Sequence, residues 1–245
     1  MRTILWIAVL SISIEGYVEC KAQRTRWARS EFAAGIVRVE NVVNFSDLPN
    51  IELCCGAFSS ATSDRLMITV GGEWPLTQAF LLGFRLGNAN YSDVFNATVD
   101  VPIIIGDEVR DVTYTTQMET RVSGINLDVT SKFFPVWGLW ISAGVRTSIL
   151  LEHYATITVD AEKVEYRTSL NDGSLYFSGI GCIGYEIPLD SEGVVLLNPT
   201  LGASLGLGDY NSLDWRINTL FAQIGIVWQW GSKLIDDADS GDQFR

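Results

Sequence analysis

Basic residues, charge in general, histidine, proline and long apolar runs are all scarce in this chain. Lysine and arginine number 17 against 29 aspartate and glutamate, a net charge of −12. A reader of nucleic-acid phosphates needs basic patches that displace counterions, so the balance argues against a nucleic-acid partner. A single histidine leaves no basis for a histidine-rich metal centre; no metal, cofactor or catalytic set is expected. Charged residues make up only 19% of the chain and hydrophobic residues 47%, which excludes disorder over most of its length. After residue 23 no apolar run reaches the roughly 20 residues of a helical membrane span. No long stretch carries the 3.6-residue period of an amphipathic helix either. What is present is glycine, 22 against 6 proline, and aromatic residues at 11%. That composition is unusual for a soluble enzyme and suits a β-barrel with an apolar outside.

The first 22 residues read as an export signal. Arg2 supplies the positive start, Ile4 to Ile14 form an uncharged apolar run, and Cys20 and Ala22 put small residues at −3 and −1 of a cleavage point before Gln23. Lipid attachment at Cys20 is the weaker reading, because Tyr17-Val18-Glu19 is a poor approach to it. The expected organisation is a signal peptide at 1–22, a barrel at 23–230 and a short acidic periplasmic tail at 231–245.

Within the barrel segment the dominant pattern is alternation, the period that sends successive side chains to opposite faces of a sheet. In 194–207, Val195, Leu197, Leu201, Ala203, Leu205 and Leu207 oppose Asn198, Thr200, Gly202, Ser204 and Gly206. In 217–230, Leu220, Ala222, Ile224, Ile226, Trp228 and Trp230 oppose Gln223, Gly225 and Gln229; segments 79–90 and 138–151 behave alike. One face is large and apolar, the other small or polar. A water-soluble barrel buries its large apolar face, whereas small residues beside Arg and Glu fill a narrow interior. Lipid also requires closure, since an open edge leaves backbone groups unpaired. The expectation is an all-β, eight-stranded antiparallel up-and-down transmembrane β-barrel. Its strands are expected at 32–43, 66–75, 79–90, 119–130, 138–151, 175–187, 194–207 and 217–230. Short periplasmic turns at 76–78, 131–137 and 188–193 then alternate with longer polar outer loops at 44–65, 91–118, 152–174 and 208–216.

Aromatic residues fit that orientation. Trp74, Phe80, Phe133, Phe134, Trp137, Tyr185, Trp228 and Trp230 fall beside the short turns; Tyr91, Tyr154, Tyr176, Tyr210 and Trp215 fall beside the long loops. Two belts are what amphipathic rings form at the two bilayer interfaces.

Gly72-Glu73-Trp74-Pro75-Leu76 leads into Leu81-Leu82-Gly83-Phe84-Arg85-Leu86-Gly87, and a second such turn is Gly184-Tyr185-Glu186-Ile187-Pro188-Leu189. With the aromatic end Gly225-Ile226-Val227-Trp228-Gln229-Trp230, these segments resemble the small outer-membrane β-barrel domain family, OmpA/OmpX-type in architecture and close to PorT-like barrels. The resemblance covers about residues 32–230. It implies the bacterial outer membrane as location, outer-membrane lipids as surroundings and recognition of the last strand by the barrel assembly machinery. Some relatives continue into a peptidoglycan-binding domain, which is not expected here.

Strand parity assigns Arg38, Glu40, Glu73, Arg85, Asp128, Arg146 and Glu186 to the lumen. Three arginines against four carboxylates in so narrow a bore point to a salt-bridged plug. His153 has the parity of lipid-facing Leu151 and reads as a rim residue, since Ser148 and Glu152 have the other parity. Cys54 and Cys55 are adjacent in the first outer loop, and Cys182 sits within a strand; a ring between the neighbours, free thiols and an intermolecular bridge all stay open. The expected function is non-enzymatic: a filled barrel with a structural role or a surface partner at its acidic outer loops. The alternatives are a narrow pore for small solutes or ions and a barrel-embedded lipid-modifying hydrolase.

Overall fold

The computed structural model describes residues 28–45, 58–76, 80–105, 108–136, 138–159, 164–169, 175–208 and 215–230. The expected signal peptide, the acidic tail, Trp137, Tyr210, Cys54 and Cys55 lie outside them. The strands are β1 (Ala28–Phe45), β2 (Phe58–Pro75), β3 (Phe80–Asn90), β4 (Asp93–Ile105), β5 (Glu108–Val136), β6 (Leu139–Val159), β7 (Val164–Ser169), β8 (Leu175–Tyr185), β9 (Ile187–Pro188), β10 (Val195–Gly206) and β11 (Arg216–Trp230).

Among the described residues, eight of these strands close a ring in the order β1-β2-β3-β5-β6-β8-β10-β11, every neighbour antiparallel. The closing pair is β1 with β11, in register from Ala28↔Trp230 to Val42↔Arg216. Closure removes the open sheet edge that hydrocarbon does not tolerate. The remaining strands extend the wall. β4 pairs with the outer half of β5, β7 with the outer half of β6, and two-residue β9 continues β8 along β10.

Two expected outer loops are therefore built differently. Much of 91–118 and 152–174 is sheet: β5 runs for 29 residues and β6 for 21, well past the roughly 9–11 of a membrane crossing. β2 likewise begins at Phe58, inside the loop expected at 44–65. The expected turn at 131–137 is also mostly strand, because β5 continues to Val136. The bend comes at Gly138, whose φ of 75° lies in the left-handed region that glycine enters without a Cβ clash.

The outward face carries a continuous apolar band. On β11 it runs from Leu220 through Ile224 to Trp228 and Trp230, all exposed, and on β10 it includes Leu201 and Leu205, with Leu207 just past its end. Phe32 and Ile36 on β1, Leu66, Ile68 and Val70 on β2, Phe84 and Leu86 on β3, and Val145 and Ile149 on β6 continue it around the ring. Leu82 also points outward, between buried Leu81 and Gly83. The band stops at a common level. One step further out the exposed residues are Arg38, Glu40, Asp64, Glu119, Arg121, Glu152 and Arg216. An apolar exterior bounded by charge, over a polar interior, is the polarity of a barrel in lipid.

Candidate functional site

The lumen has two storeys of opposite chemistry. The lower one lies inside the apolar band, toward the short turns. Here the inward rows of β1, β2, β3, β5 and the β8–β9 junction bring together Arg29, Glu31, Glu73, Arg85, Lys132 and Glu186, all buried. Lys132 Nζ donates to Glu186 Oε1 at 2.7 Å and to both Glu73 oxygens at 3.1 and 3.3 Å. Arg29 Nη1 reaches Glu186 Oε1 at 2.8 Å and lies 3.6 Å from Glu73. Arg85 Nη2 sits 2.7 Å from Glu31 and 3.5 Å from Glu73. Asn198 Nδ2 donates to the other Glu31 oxygen at 2.6 Å, and the Trp140 indole donates to Asn198 Oδ1 at 2.9 Å. Three cations thus face three carboxylates in one connected cluster, so its net charge closes to zero. Such pairing is what a dry interior requires, because a single unpaired ion there costs several kcal/mol.

Aromatic rings pack this cluster laterally. Lys132 Nζ lies 4.3 Å from the Trp140 ring centroid and 5.3 Å from that of Phe134, and the Arg29 guanidinium lies 5.5 Å from Phe134. Trp140 lies over its cross-strand neighbour Gly184 on β8, where an added Cβ would run into the indole. A little further out, Arg146 grips Asp128 through two parallel hydrogen bonds of 2.7 and 2.8 Å, with Phe221 5.5 Å from its guanidinium. Tyr91, Asn126 and Ser148 form the next polar step, with contacts of 2.7 to 2.9 Å.

The upper storey is mostly apolar inside, with Asn41, Asp93, Thr116 and Thr120 as its buried polar side chains among the described residues. Val39, Val43, Phe58, Phe95, Met118, Val122, Ala155 and Trp215 are buried there. Phe95 meets Phe58 and Trp215 edge-on, each pair 6.4 Å apart. Trp215 hands its indole proton to Asn41 at 3.0 Å, and Asn41 donates in turn to Asp93 at 3.0 Å. The outer wall of this storey is charged, so the barrel exchanges inside for outside as it leaves the band.

That exchange decides which expected lumen residues were placed correctly. Glu73, Arg85, Asp128, Arg146 and Glu186 do face the lumen. Arg38 and Glu40 do not: Arg38 and Asp64 form an exposed bidentate pair at 2.9 and 3.1 Å, their side chains 64% and 56% accessible, and Glu40 is exposed. Val37, Val39 and Val43 point inward instead, because this stretch of β1 has passed the apolar band. The hydrogen bond from Arg38 also holds the Asp64 carboxyl below its usual range. Arg29, Glu31 and Lys132 were missed, since they flank the apolar stretches that marked the strands. Their alternation with Ser30, Phe32 and Ser131 was the available signal.

Trp74, Phe80, Tyr185, Trp228 and Trp230 are exposed on the outward face at the short-turn end, as a belt requires. Of the other belt, Tyr154 lies on the outward face beside exposed Arg121, but three of the residues expected with it do not. Tyr91, Tyr176 and Trp215 are buried inside the lumen, where each hydroxyl or indole hydrogen-bonds. His153 also faces inward, half-buried and opposite Val122. The cause is a bulge: Ser123 pairs with Glu152 but Gly124 pairs with Leu150, so Leu151 is an extra residue that resets the parity. Cys182 is a free, buried thiol in the bore.

A closed antiparallel ring with short turns at one end, extended strands at the other, an apolar band and an ion-paired interior defines the class: a small outer-membrane β-barrel. No family model and no curated protein matches the chain. Among solved structures it is similar to the outer membrane protein OprG from Pseudomonas aeruginosa (12% identity over 86% of this chain and 99% of that one, TM-score 0.40). It is also similar to Ail, the attachment invasion locus protein of Yersinia pestis (5%, 82% and 99%, 0.38), and to the outer membrane protease OmpT from Escherichia coli (10%, 84% and 98%, 0.37). These likenesses concern barrel architecture only; the strand pairing and the exterior establish it independently.

Proposed function

We propose that this barrel is a closed, non-enzymatic outer-membrane protein whose work is done by the wall and strands beyond the bilayer. The observation that carries the reading is the neutral cluster of Arg29, Arg85 and Lys132 with Glu31, Glu73 and Glu186 across the lower bore. Above it, Phe58, Phe95 and Trp215 fill the upper bore with rings. Ions would have to cross both a layer of paired charge and a mostly apolar, ring-filled layer. By sequence the segments expected beyond the bilayer are acidic: residues 91–112 hold five acidic groups against Arg110, one of them the buried Asp93, and residues 152–173 hold five against Lys163 and Arg167. Such strands and loops suit cations, lipid headgroups or a basic surface partner.

A hydrolase reading fits less well. His153 Nδ1 is buried without a hydrogen-bond partner, so among the described residues no carboxylate orients the ring through that atom. Planar-bilayer recording on the purified full chain tests the proposal. The native protein should give no steady conductance, and Glu73→Ala, which leaves cations unmatched, should give open events. Stable porin-sized channels from the native protein would overturn it.

A further inference from the structure

The ladder between β2 and β3 ends at Thr69↔Gly87, although β2 extends outward to Phe58 and β3 is continued by β4. Beyond that point the described links across the wall run through side chains. Asn88 substitutes for the missing strand contacts, accepting from Ile68 N at 2.7 Å and donating to Leu66 O at 2.9 Å. Ser63 Oγ and Arg65 Nη2 both donate to the Ser92 carbonyl, at 3.2 and 2.7 Å. A few side-chain hydrogen bonds, each worth about 1 kcal/mol net, hold this seam where a ladder holds the wall below. Its level is the edge of the apolar band: Leu66 and Ile68 face lipid, while Asp64 and Arg38 are already in the charged ring.

At the same point lies an unusual cation. Arg29, Arg38, Arg85, Arg121, Lys132 and Arg146 each lie within 4.0 Å of a carboxylate. Among the described residues no carboxylate lies that close to Arg65, whose Nη2 is held only by the Ser92 carbonyl among the described contacts. Arg65 sits on the inward row of β2, paired with Val37 and two residues from Met67, both buried in one core cluster with Tyr91 and Met118. Methionines are the side chains that re-pack most readily around an inserted chain.

We propose that the β2–β4 seam is a lateral entry for a single-chain anionic amphiphile from the outer leaflet, a fatty-acid-like molecule. Arg65 binds its anionic head, and the tail displaces Met67 and Met118 contacts inside the upper storey. Headgroup depth, a guanidinium with no carboxylate within 4.0 Å among the described residues, a wall without a ladder and a mostly apolar interior coincide at this one place. The inference does not depend on the closed-bore reading, because conductance is not its readout.

The test uses the full-length protein in lipid nanodiscs with a diazirine-bearing C16 fatty acid, cross-linked sites being mapped by mass spectrometry. Label is expected on Met67 and Met118. It should fall at least about tenfold in Arg65→Gln, the loss of a charge-assisted hydrogen bond. Ser63→Cys with Ser92→Cys should block labelling when oxidised and restore it on reduction. The matching fatty alcohol should label the interior far less. Label confined to outward Leu66 and Ile68, or interior label unchanged in Arg65→Gln, would overturn the proposal. Displacement by millimolar inorganic phosphate would also overturn it, assigning Arg65 to a free anion instead.

Discussion

The two storeys of this barrel use the same wall and opposite rules. Inside the bilayer, side chains facing out must be apolar, so the strands direct their polar and charged residues inward, where each ion needs a counter-ion. Above the bilayer the solvent is water, and the same β1 and β2 turn Arg38, Glu40 and Asp64 outward and Val37, Val39 and Phe58 inward. Nothing changes in the backbone alternation; the solvent changes. The lower storey is held by matched charge and the upper by hydrocarbon packing, so substitutions should sort them apart.

The largest effect belongs to the lower storey. Lys132→Ala leaves Glu73 and Glu186 short of a buried counter-ion and should destabilise the barrel by about 3–5 kcal/mol. The measurement is urea unfolding in detergent, followed by loss of heat-modifiable migration. If Lys132→Ala unfolds at the native midpoint, the cluster is not holding the lower bore.

Next comes the upper storey. Phe95→Ala should cost about 3 kcal/mol through the cavity between Phe58 and Trp215. Hydrogen exchange should show that cost locally, with faster exchange in β4 and outer β5 and unchanged protection of β10 and β11. Equal acceleration in both would mean that the storeys unfold as one unit.

A depth series sharpens the boundary. Ile224→Arg, at the centre of the band, should lower stability in lipid by about 2–4 kcal/mol, and Asn218→Arg near its edge by about 0–1. Refolding yields into vesicles give the comparison. Equal penalties would move the boundary away from the charged ring.

The smallest effect is expected outside. The lowered Asp64 carboxyl favours the folded state above the unfolded value and loses that contribution as pH falls through the folded one. Because the pair with Arg38 is exposed to water, Asp64→Asn should leave the pH profile of stability unchanged within error. A clear difference between pH 3 and pH 7 would show that the pair is shielded in the assembled membrane.

Where the sequence reading succeeded, the alternation stayed within one solvent. The runs Val195 to Leu207 and Leu220 to Trp230 lie almost wholly inside the band, and every face assigned there is found. The reading failed at the borders. Arg29, Glu31 and Lys132 flank the apolar runs; Arg38 and Glu40 follow the band on β1. His153 was misassigned by the single bulge at Leu151, since one inserted residue inverts every later parity and leaves no mark in composition.

The sequence by itself determined an all-β membrane barrel, because period-two alternation of large apolar against small or polar residues admits few other folds. It also determined that charge would be enclosed, since Glu73, Arg85, Asp128, Arg146 and Glu186 lie on the face opposite lipid. Only the tertiary structure decided which charges meet. Arg29, Lys132 and Glu186 come from strands far apart in the chain, and register alone brings them within 3 Å. It also decided the level at which the wall changes solvent, because depth in a membrane belongs to the closed ring and not to any one strand.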